Sequence, residues 1–201
     1  MILPRQFYLR ADVVEIARDL LGKYLCTEIN GVVSSGMITE TEAYGAVTDK
    51  ASHAYGGRRT PRTEIMYRQG GTAYVYLCYG MHSLFNVVTN AVEIPHAVLI
   101  RGIRPVEGID AMLSRIGKTM ISQLKGTGPG IVTKLLGIHY SMTGLDLTSE
   151  KAGAEGVRIW IEDRGWKMED GSITVTTRVG VDYAGEDAKR QYRFILRERG
   201  Y

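Results

Sequence analysis

The segment Gly31–Tyr44 (GVVSSGMITETEAY) is predicted to be one extended stretch, opened by a glycine and rich in β-branched and small residues. Near its end Glu40 and Glu42 are two positions apart, so both carboxylates should share one face of a strand while Thr41 points to the other. The strand ends directly before a polar loop. A carboxylate there can lie in a cleft and hold a water molecule, although two glutamates on one strand equally fit a solvated edge.

Further strands and a few helices are predicted around this segment. Residues 45–71 form a long loop rich in Gly, Arg and Thr, which is typical of a segment kept for function. By composition, strands are predicted at Thr72–Tyr79, Leu84–Thr89, Ala97–Arg104 (stopped by Pro105), Val157–Glu162, Ile173–Thr177 and Tyr192–Leu196. By apolar spacing, helices are predicted at Ala11–Leu21, Val106–Ile116 and Ile131–Leu136.

Few of these strands are separated by full helices, which disfavours a series of parallel crossover units. A length of 201 residues with 44% hydrophobic residues suits one well-packed domain. The predicted fold is therefore mixed α/β, a single domain over residues 1–201 with a curved, mainly antiparallel sheet and packed helices.

The charge and cysteine content narrow the class of protein. A net charge of +3 permits nucleic-acid binding without requiring it. Cys26 and Cys78 predict reduced thiols, and neither has the neighbouring ligands of a zinc site. No signal peptide or membrane-length apolar run is found, so a soluble cytoplasmic protein is expected. Cations cluster in two places: Arg58, Arg59, Arg62, Arg68, Arg101 and Arg104; and Lys189, Arg190, Arg193, Arg197 and Arg199.

Aromatic residues follow the loop. The chain has 12 Tyr against 3 Phe and 2 Trp, and tyrosine offers a flat apolar face with a polar tip. Tyr74 and Tyr76 should share one strand face, with Tyr79 on the other at the strand end. This pattern fits ordinary packing on two layers, or a pocket at Tyr76 with an outward wedge at Tyr79. His53 is either a solvated loop residue or part of the same cleft.

A glycine-rich segment, Gly126–Gly130, precedes the predicted helix Ile131–Leu136. It could hold a phosphate at the helix N-terminus, and a plain turn is at least as good an interpretation. It does not match a nucleotide-triphosphate loop, because Lys134 is out of position.

Taken together, these motifs resemble the alkyladenine (3-methyladenine) DNA glycosylase family. The matching segments run in order along nearly the whole chain: Glu40–Tyr44, Ser52–His53, Gly57–Arg62, Tyr74–Tyr76, Tyr79–Met81, Asn86, Leu99–Arg101, Pro105–Gly108, Arg178–Val181, Ala184–Gly185 and Arg193–Phe194. The resemblance implies a mixed α/β domain that excises alkylated or deaminated purines from damaged double-stranded DNA, and so a place in the nucleoid. His82 departs from some members, which have another aromatic residue there.

The resemblance also implies roles for individual residues. Glu42 would be the general base that activates water, and Arg101 would help to hold that water. Tyr44, His53 and Tyr76 would surround the flipped base, with Asn86 excluding guanine at the pocket wall. The implied DNA wedge and backbone contacts are Tyr79, Met81, His82, Arg58 and Arg62.

Elementary chemistry agrees with these roles. One carboxylate can orient water and stabilise the oxocarbenium-like sugar that forms as an N-glycosidic bond breaks. No motif places a lysine in the pocket, so a Schiff base is not expected. We expect no cofactor, no metal and a monomer. Two alternatives remain open: a non-catalytic nucleic-acid-binding module, which would not need Glu42, and a nucleoside hydrolase, which would not need Tyr79 or the arginines.

Overall fold

The Gly31–Tyr44 stretch forms the longest strand of the sheet, β2 (Val32–Tyr44). In this computed structural model, residues 1–153, 156–169 and 171–197 are described. The other strands of the described residues are β1 (Tyr24–Ile29), β3 (Ala73–Cys78), β4 (His82–Thr89), β5 (His96–Glu107), β6 (Val157–Glu162), β7 (Ile173–Thr176) and β8 (Arg193–Leu196).

These strands form one open sheet in which every pairing is antiparallel. The main order is β3-β4-β5-β2-β1-β6, and β8 pairs with both β2 and β7. β2 is long enough to pair with β5 along one edge and with β1 and then β8 along the other. The prediction of a mixed α/β fold with an antiparallel sheet is confirmed.

Helices cover one face of this sheet. The α-helices of the described residues are α1 (Arg5–Tyr8), α2 (Val13–Asp19), α3 (Ile109–Ile116) and α4 (Pro129–Leu136). Short 3₁₀ turns lie at Tyr55–Gly57, Glu64–Tyr67, Ile121–Gln123, Tyr140–Met142 and Asp182–Lys189. Among the described residues, no helix is long and apolar enough to cross a membrane.

The α2 helix shows how the sequence builds this layer. Asp12 precedes it and accepts hydrogen bonds from the Val14 and Glu15 amides at 2.8 and 3.2 Å, a cap that stabilises a helix by about 1 kcal/mol. Its apolar side, with Ile16 and Ala17 fully buried, packs on the sheet. Thr41 points towards this layer and donates a 2.7 Å hydrogen bond to the Ala17 carbonyl. The opposite face of β2, which carries Glu40 and Glu42, is therefore turned away from the helices.

Some predicted bounds were wrong. β5 continues through Pro105 to Glu107. At the edge away from β2, β4 pairs with residues 96–99 and the segment 126–128 with residues 101–103, which leaves that edge open at Pro105. A proline without an amide hydrogen is tolerated at such an edge. The helix predicted from Val106 consequently begins at Ile109, after the left-handed Gly108. The sequence reading also missed β1, which pairs with both β2 and β6.

Candidate active site

The strand register aligns polar and aromatic side chains in one row across the sheet. Glu42 is paired with Leu99, Leu99 with Asn86, and Asn86 with Tyr74. Directly paired residues of antiparallel strands project to the same face. Because Thr41 points to the helical layer, this row lies on the opposite face. There Leu99, Asn86 and Tyr74 line a cleft of about 450 Å³. That volume is within the range of about 300–1,000 Å³ common for small-molecule sites.

Glu42 is fully buried at one end of this row. The Tyr44 hydroxyl donates to its Oε2 at 2.7 Å, the Val179 amide donates to Oε1 at 2.8 Å, and Arg101 Nε lies 3.3 Å from Oε1. Burial raises the pKa of the Glu42 carboxyl, while these three groups act in the opposite direction. The three partners line the cleft themselves, so Glu42 lies directly behind the cleft wall that they form.

A double irregularity of the sheet places Arg101 beside Glu42. The β2–β5 register passes from Ile38 with Ile103 to Glu40 with Gly102, and then to Thr41 with Ile100, so Thr39 and Arg101 have no direct partner. Bulges of this kind redirect side chains and are frequent next to active sites.

The neighbouring carboxylate anchors this arginine. Arg101 Nε donates to Glu40 Oε1 at 2.9 Å, and Arg193 Nε of β8 donates to the same oxygen at 2.6 Å. Glu40 and Glu42 thus share a face, as predicted. Glu40 binds the two arginines, whereas Glu42 is held chiefly by the hydroxyl and the amide.

The Gly126–Gly130 segment supports Arg101 from the other side. The Ile103 amide donates to the Gly126 carbonyl and the Gly128 amide donates to the Arg101 carbonyl, each at 2.9 Å. A Cβ on Gly126 would lie 1.8 Å from the Ile103 oxygen, so a side chain cannot be accommodated there. This segment extends the sheet next to Arg101, an arrangement that neither interpretation of its sequence foresaw.

Three rings form an aromatic group at the other end of the cleft. His53 meets Tyr76 edge to face with centroids 4.9 Å apart, and the Tyr74 and Tyr76 centroids are 5.4 Å apart. His53 Nδ1 lies 2.9 Å from the Tyr74 hydroxyl, and its Nε2 lies 3.2 Å from Arg62 Nη2. The loop histidine is therefore brought into the same cleft as Tyr44 and Arg101.

The hydrogen bonds of His53 define its protonation. A guanidinium can only donate, so Nε2 must accept from Arg62 and the ring proton is assigned to Nδ1. Burial first, and then the charges of Arg62 and Arg58, lower the pKa of His53 from 6.5 to about 4. His53 is consequently a neutral acceptor at physiological pH.

Arg62 is exposed to solvent and also lines the cleft. Its guanidinium carbon lies 4.4 Å from the centroid of the Tyr76 ring, within the range of a cation–π contact. The planar cation that stacks on the face of Tyr76 is thus the guanidinium of Arg62. Arg58, the other predicted backbone contact, is exposed.

The turn between β3 and β4 projects from the mouth of the cleft. Tyr79 and Gly80 both have positive φ, 49° and 69°, and the Met81 amide closes the turn on the Cys78 carbonyl at 3.1 Å. Left-handed backbone is costly for a bulky residue, and such strain tends to occur at functional sites. The Tyr79 side chain is 90% exposed and that of Met81 73%. Beside this turn, His82 is exposed and lies against Gly130 of α4.

Asn86 is buried in the cleft floor, where its Nδ2 donates to the Tyr74 carbonyl at 3.2 Å. Sequence reasoning gave no role to Tyr74, to Glu40 or to the Val179 amide. The two-residue spacing of Tyr74 and Tyr76 places both on one strand face and could have indicated that Tyr74 belongs to the cleft. Val179 lies within a segment that matches the family. No pattern in the chain pointed to a hydrogen bond from its amide.

The described residues around this cleft contain no metal-binding arrangement. Within residues 1–153, 156–169 and 171–197, no group of three or more His, Cys, Asp or Glu side chains is placed to hold a metal ion. The chemistry of the described cleft residues is that of a buried carboxylate, two arginines and an aromatic slot.

Comparison with known proteins places this chain in a family. The family model described as methylpurine-DNA glycosylase (MPG) matches residues 6–200. A protein of Chlamydia felis (strain Fe/C-56) is 43% identical over 196 residues, covering 97% of this chain and 96% of its own. A protein of Clostridium perfringens (strain 13 / Type A) is 40% identical over 208 residues, covering 100% and 98%.

A third relative, from Desulfitobacterium hafniense (strain Y51), is 41% identical over 206 residues and covers 99% of this chain and 97% of its own. All three carry the provisional name 3-methyladenine DNA glycosylase. The chain belongs to the methylpurine-DNA glycosylase family and is a DNA glycosylase, a hydrolase of N-glycosidic bonds.

Proposed function

We propose that this protein, acting as a single-domain monomer, flips alkylated or deaminated purines out of damaged duplex DNA and hydrolyses their N-glycosidic bond in base excision repair. The substrates would be bases of the 3-methyladenine, 7-methylguanine, hypoxanthine and ethenoadenine type. The observation that carries the proposal is a buried carboxylate, Glu42, held by two hydrogen-bond donors at one end of a cleft whose other end is an aromatic slot.

Glu42 is suited to activate water. A carboxylate offers about four lone-pair positions. Two are used by the Tyr44 hydroxyl and the Val179 amide, and Arg101 stands beside a third, so one remains that a water molecule would occupy. Burial raises the pKa of Glu42, which strengthens it as a base.

The reaction can then be written in full. The water oxygen bonds to C1′ of the sugar, and the glycosidic C1′–N bond breaks with its electron pair going to the base. Glu42 takes the proton of the water, and the negative carboxylate also stabilises the oxocarbenium-like sugar. A purine made cationic by an alkyl group at N3 or N7 leaves as a neutral molecule, whereas hypoxanthine or ethenoadenine leaves as an anion that takes up a proton from solvent.

The aromatic slot is suited to select the base. Tyr76 and Tyr44 both line the cleft. Stacking of a base on an aromatic ring contributes about 1–3 kcal/mol per base. The placement of the Arg62 guanidinium over Tyr76 supports the view that this face favours a planar cation, which describes an alkylated purine. Asn86 in the floor is placed to meet an exocyclic amine, in keeping with exclusion of guanine.

Hydrolysis without strand cleavage fits the remaining residues. No lysine lines the described cleft, and Lys50, the nearest to His53 in sequence, has an exposed side chain. An amine that could form a Schiff base with the sugar is therefore not placed beside C1′. Tyr79, exposed on its strained turn, is suited to fill the gap left by the flipped base.

The test is abasic-site formation on synthetic duplexes that each carry one lesion, read on a gel after alkaline cleavage. Duplexes with 3-methyladenine (as a stable analogue), 7-methylguanine, hypoxanthine or ethenoadenine are compared with undamaged DNA and with the corresponding free nucleosides. We expect abasic sites in lesion duplexes and no strand break before alkali. Equal release from free nucleosides would indicate a nucleoside hydrolase, and binding without release would indicate a binding module.

A further inference from the structure

A fully buried ion pair lies behind the cleft wall, between Asp49 and Arg178. The two Asp49 oxygens accept four hydrogen bonds, two from the Arg178 guanidinium and one each from the Gly45 and Ala51 amides. Arg178 also donates to the Ala43 carbonyl at 2.9 Å. Neither residue was singled out for a role by its sequence context.

The pair joins three separate parts of the chain. It links the end of β2 to the start of the loop that leads to His53, and both of these to the segment 178–187. Arg178 Nη2 donates to the Asp187 carbonyl at 3.0 Å, and the Asp187 carboxylate accepts from the Lys50 amide at 2.9 Å. The Tyr183 hydroxyl adds a bond to the Ala51 carbonyl at 3.3 Å.

The pair also touches both groups that hold Glu42. Arg178 is followed directly by Val179, whose amide donates to Glu42 Oε1 at 2.8 Å. The Arg178 guanidinium carbon lies 4.8 Å from the centroid of the Tyr44 ring, and the Tyr44 hydroxyl donates to Glu42 Oε2. One arginine therefore adjoins the donors on both oxygens of the carboxylate.

Stability alone does not account for such a pair. Burying two charges carries a desolvation penalty, and well-packed apolar residues of similar size are often as stabilising or more so. An arginine and an aspartate have what apolar residues lack, a fixed geometry of hydrogen bonds to several backbone groups at once.

We infer that Asp49 and Arg178 are positioning residues, which hold the Val179 amide and the Tyr44 hydroxyl on the two oxygens of Glu42 and so orient this carboxylate towards the cleft. The inference rests on the proposed role of Glu42 as the base. Neither positioning residue lines the cleft, so they act through Glu42 and its partners.

The inference predicts a direction for the titration of Glu42. The groups that face Glu42 from the surrounding elements are Glu40 and Tyr44 on β2, Arg101 on β5, Arg193 on β8, and Arg178 with the Val179 amide. Both hydrogen-bond donors lower the pKa of Glu42, so their displacement raises it. Removal of a negative charge at Asp49, acting through charge alone, would lower it. The two explanations therefore predict opposite signs for Asp49→Asn.

The experiment compares Asp49→Asn, Arg178→Lys and a control, Arg115→Met, with the wild type. Arg115 is a partly buried arginine that bonds to Ser34 and the Leu135 carbonyl, outside the cleft. Carbon-13 NMR follows the Glu42 carboxyl through a pH titration, and single-turnover excision is measured over the same pH range. In Asp49→Asn the new amide presents an NH₂ group to donors that need an acceptor, and in Arg178→Lys the new ammonium cannot form the planar fork.

We expect the Glu42 titration to move to higher pH in both variants. Excision should fall by about 100-fold at acidic pH, the order of loss known for a misplaced catalytic group, and recover partly as the pH rises. Arg115→Met should lower thermal stability and leave both the titration and the pH profile unchanged.

A Glu42 titration that is unchanged or shifted to lower pH in Asp49→Asn would overturn the inference, as would a shift of the same size in Arg115→Met. If Asp49→Asn does not fold, Arg178→Lys provides the test. In that variant the chemical shift of the Val179 amide proton should no longer respond to the ionisation of Glu42, and an unchanged response would overturn the inference. The carboxyl titration does not depend on catalysis. A shifted titration with excision unaffected would thus leave the positioning role intact and overturn the proposed role of Glu42.

Discussion

The Tyr44 hydroxyl donates a 2.7 Å hydrogen bond to Glu42 Oε2, two residues back along β2. Residues at this spacing project from the same face of a strand, so the contact requires no loop or distant element. Burial and the adjacent carboxylate both raise the pKa of Tyr44, so its phenol remains protonated as the donor. Tyr44 therefore lines the cleft and also holds the buried carboxylate with its hydroxyl.

Tyr44→Phe should separate these two tasks. The ring face remains, but Glu42 loses a donor that lowers its pKa, so the acid limb of the pH–rate profile should move to higher pH. A hydrogen bond to a charged group is worth about 1.5–3 kcal/mol, which corresponds to about tenfold or more in rate where Glu42 is partly protonated. Single-turnover excision at several pH values measures this; an unshifted acid limb with little loss of rate would assign Tyr44 to stacking alone.

His53 should remain uncharged well below the pH at which a free histidine titrates. Its pKa of about 4 lies below the ordinary 6.5, so it is neutral from pH 5 upwards with the proton on Nδ1. Between pH 4 and pH 6.5, His53 of the unfolded chain binds a proton, whereas His53 of the folded protein does not. The free energy of unfolding should therefore decrease as the pH falls from 6.5 towards 4. Nitrogen-15 NMR of the imidazole tests both points, and a midpoint near pH 6.5 would contradict this account.

DNA binding should depend on salt through particular arginines. Each neutralised phosphate contact contributes about 0.9 to the slope of log affinity against log salt. Arg58→Ala should reduce the slope by about that amount. Arg158→Ala, in a residue stacked on Trp160 of β6 at the far edge of the sheet, should not change it. Equal slopes in both variants and the wild type would remove Arg58 from the DNA interface.

Three of the four described C-terminal cations take part in ion pairs. Arg193 is bound to Glu40, Arg190 is paired with Asp187, and Lys189 is paired with Glu186. Arg199 lies outside the described residues. Charge counts along the chain indicated a second basic cluster, but the pairing of these cations depends on tertiary neighbours that a count does not contain.

The strands could be predicted because their composition is local information. The extended stretch to Tyr44 and the strand Val157–Glu162 match β2 and β6. The prediction that the strand ends before Pro105 was wrong, because the effect of a proline depends on whether the strand has a neighbour at that edge. β1 lacked a strong local signal, and its place between β2 and β6 is fixed by pairing.

The features of the site likewise divide into those that local sequence predicts and those that depend on distant residues. The shared face of Glu40 and Glu42 follows from the two-residue period of a strand, and the meeting of Tyr76 with His53 was reached through the resemblance. The bulge that aims Arg101, and the hydrogen bond of the Val179 amide, join residues about 60 and 137 positions apart from their partners. Such contacts are set by the register of the whole sheet and have no local pattern.

Tyr79 and Tyr76 should respond differently to the form of the DNA. Flipping a base from a paired duplex costs a few kcal/mol, and less from a mismatch or single strand. Tyr79→Ser should weaken excision from paired duplex much more than from mismatched or single-stranded DNA. Tyr76→Ala should weaken excision from both, because its ring lies inside the cleft. The measurement is the ratio of single-turnover rates on the two DNAs.

A matched control exists for the wedge variant. Tyr140→Ser removes an exposed tyrosine that does not line the cleft and should leave the ratio unchanged. Because Tyr79 is 90% exposed, its loss removes no buried packing, and the variant should remain folded. Equal losses for Tyr79→Ser on both DNAs would place the ring in the pocket.

The most direct test of the central claim is the excision rate of Glu42→Gln on a lesion duplex. Glutamine preserves the shape of the side chain, and the Tyr44 hydroxyl can turn to accept from the new amide. Loss of a general base costs about 10²–10⁴ in rate, so excision should fall by that amount while lesion binding and folding are retained.

Two further variants complete this measurement. Glu28→Gln, the same change on β1 and outside the cleft lining, should leave excision unchanged, and Glu40→Gln should reduce it less than Glu42→Gln does. A Glu42→Gln protein that binds the lesion and still excises it at close to the wild-type rate would contradict the account.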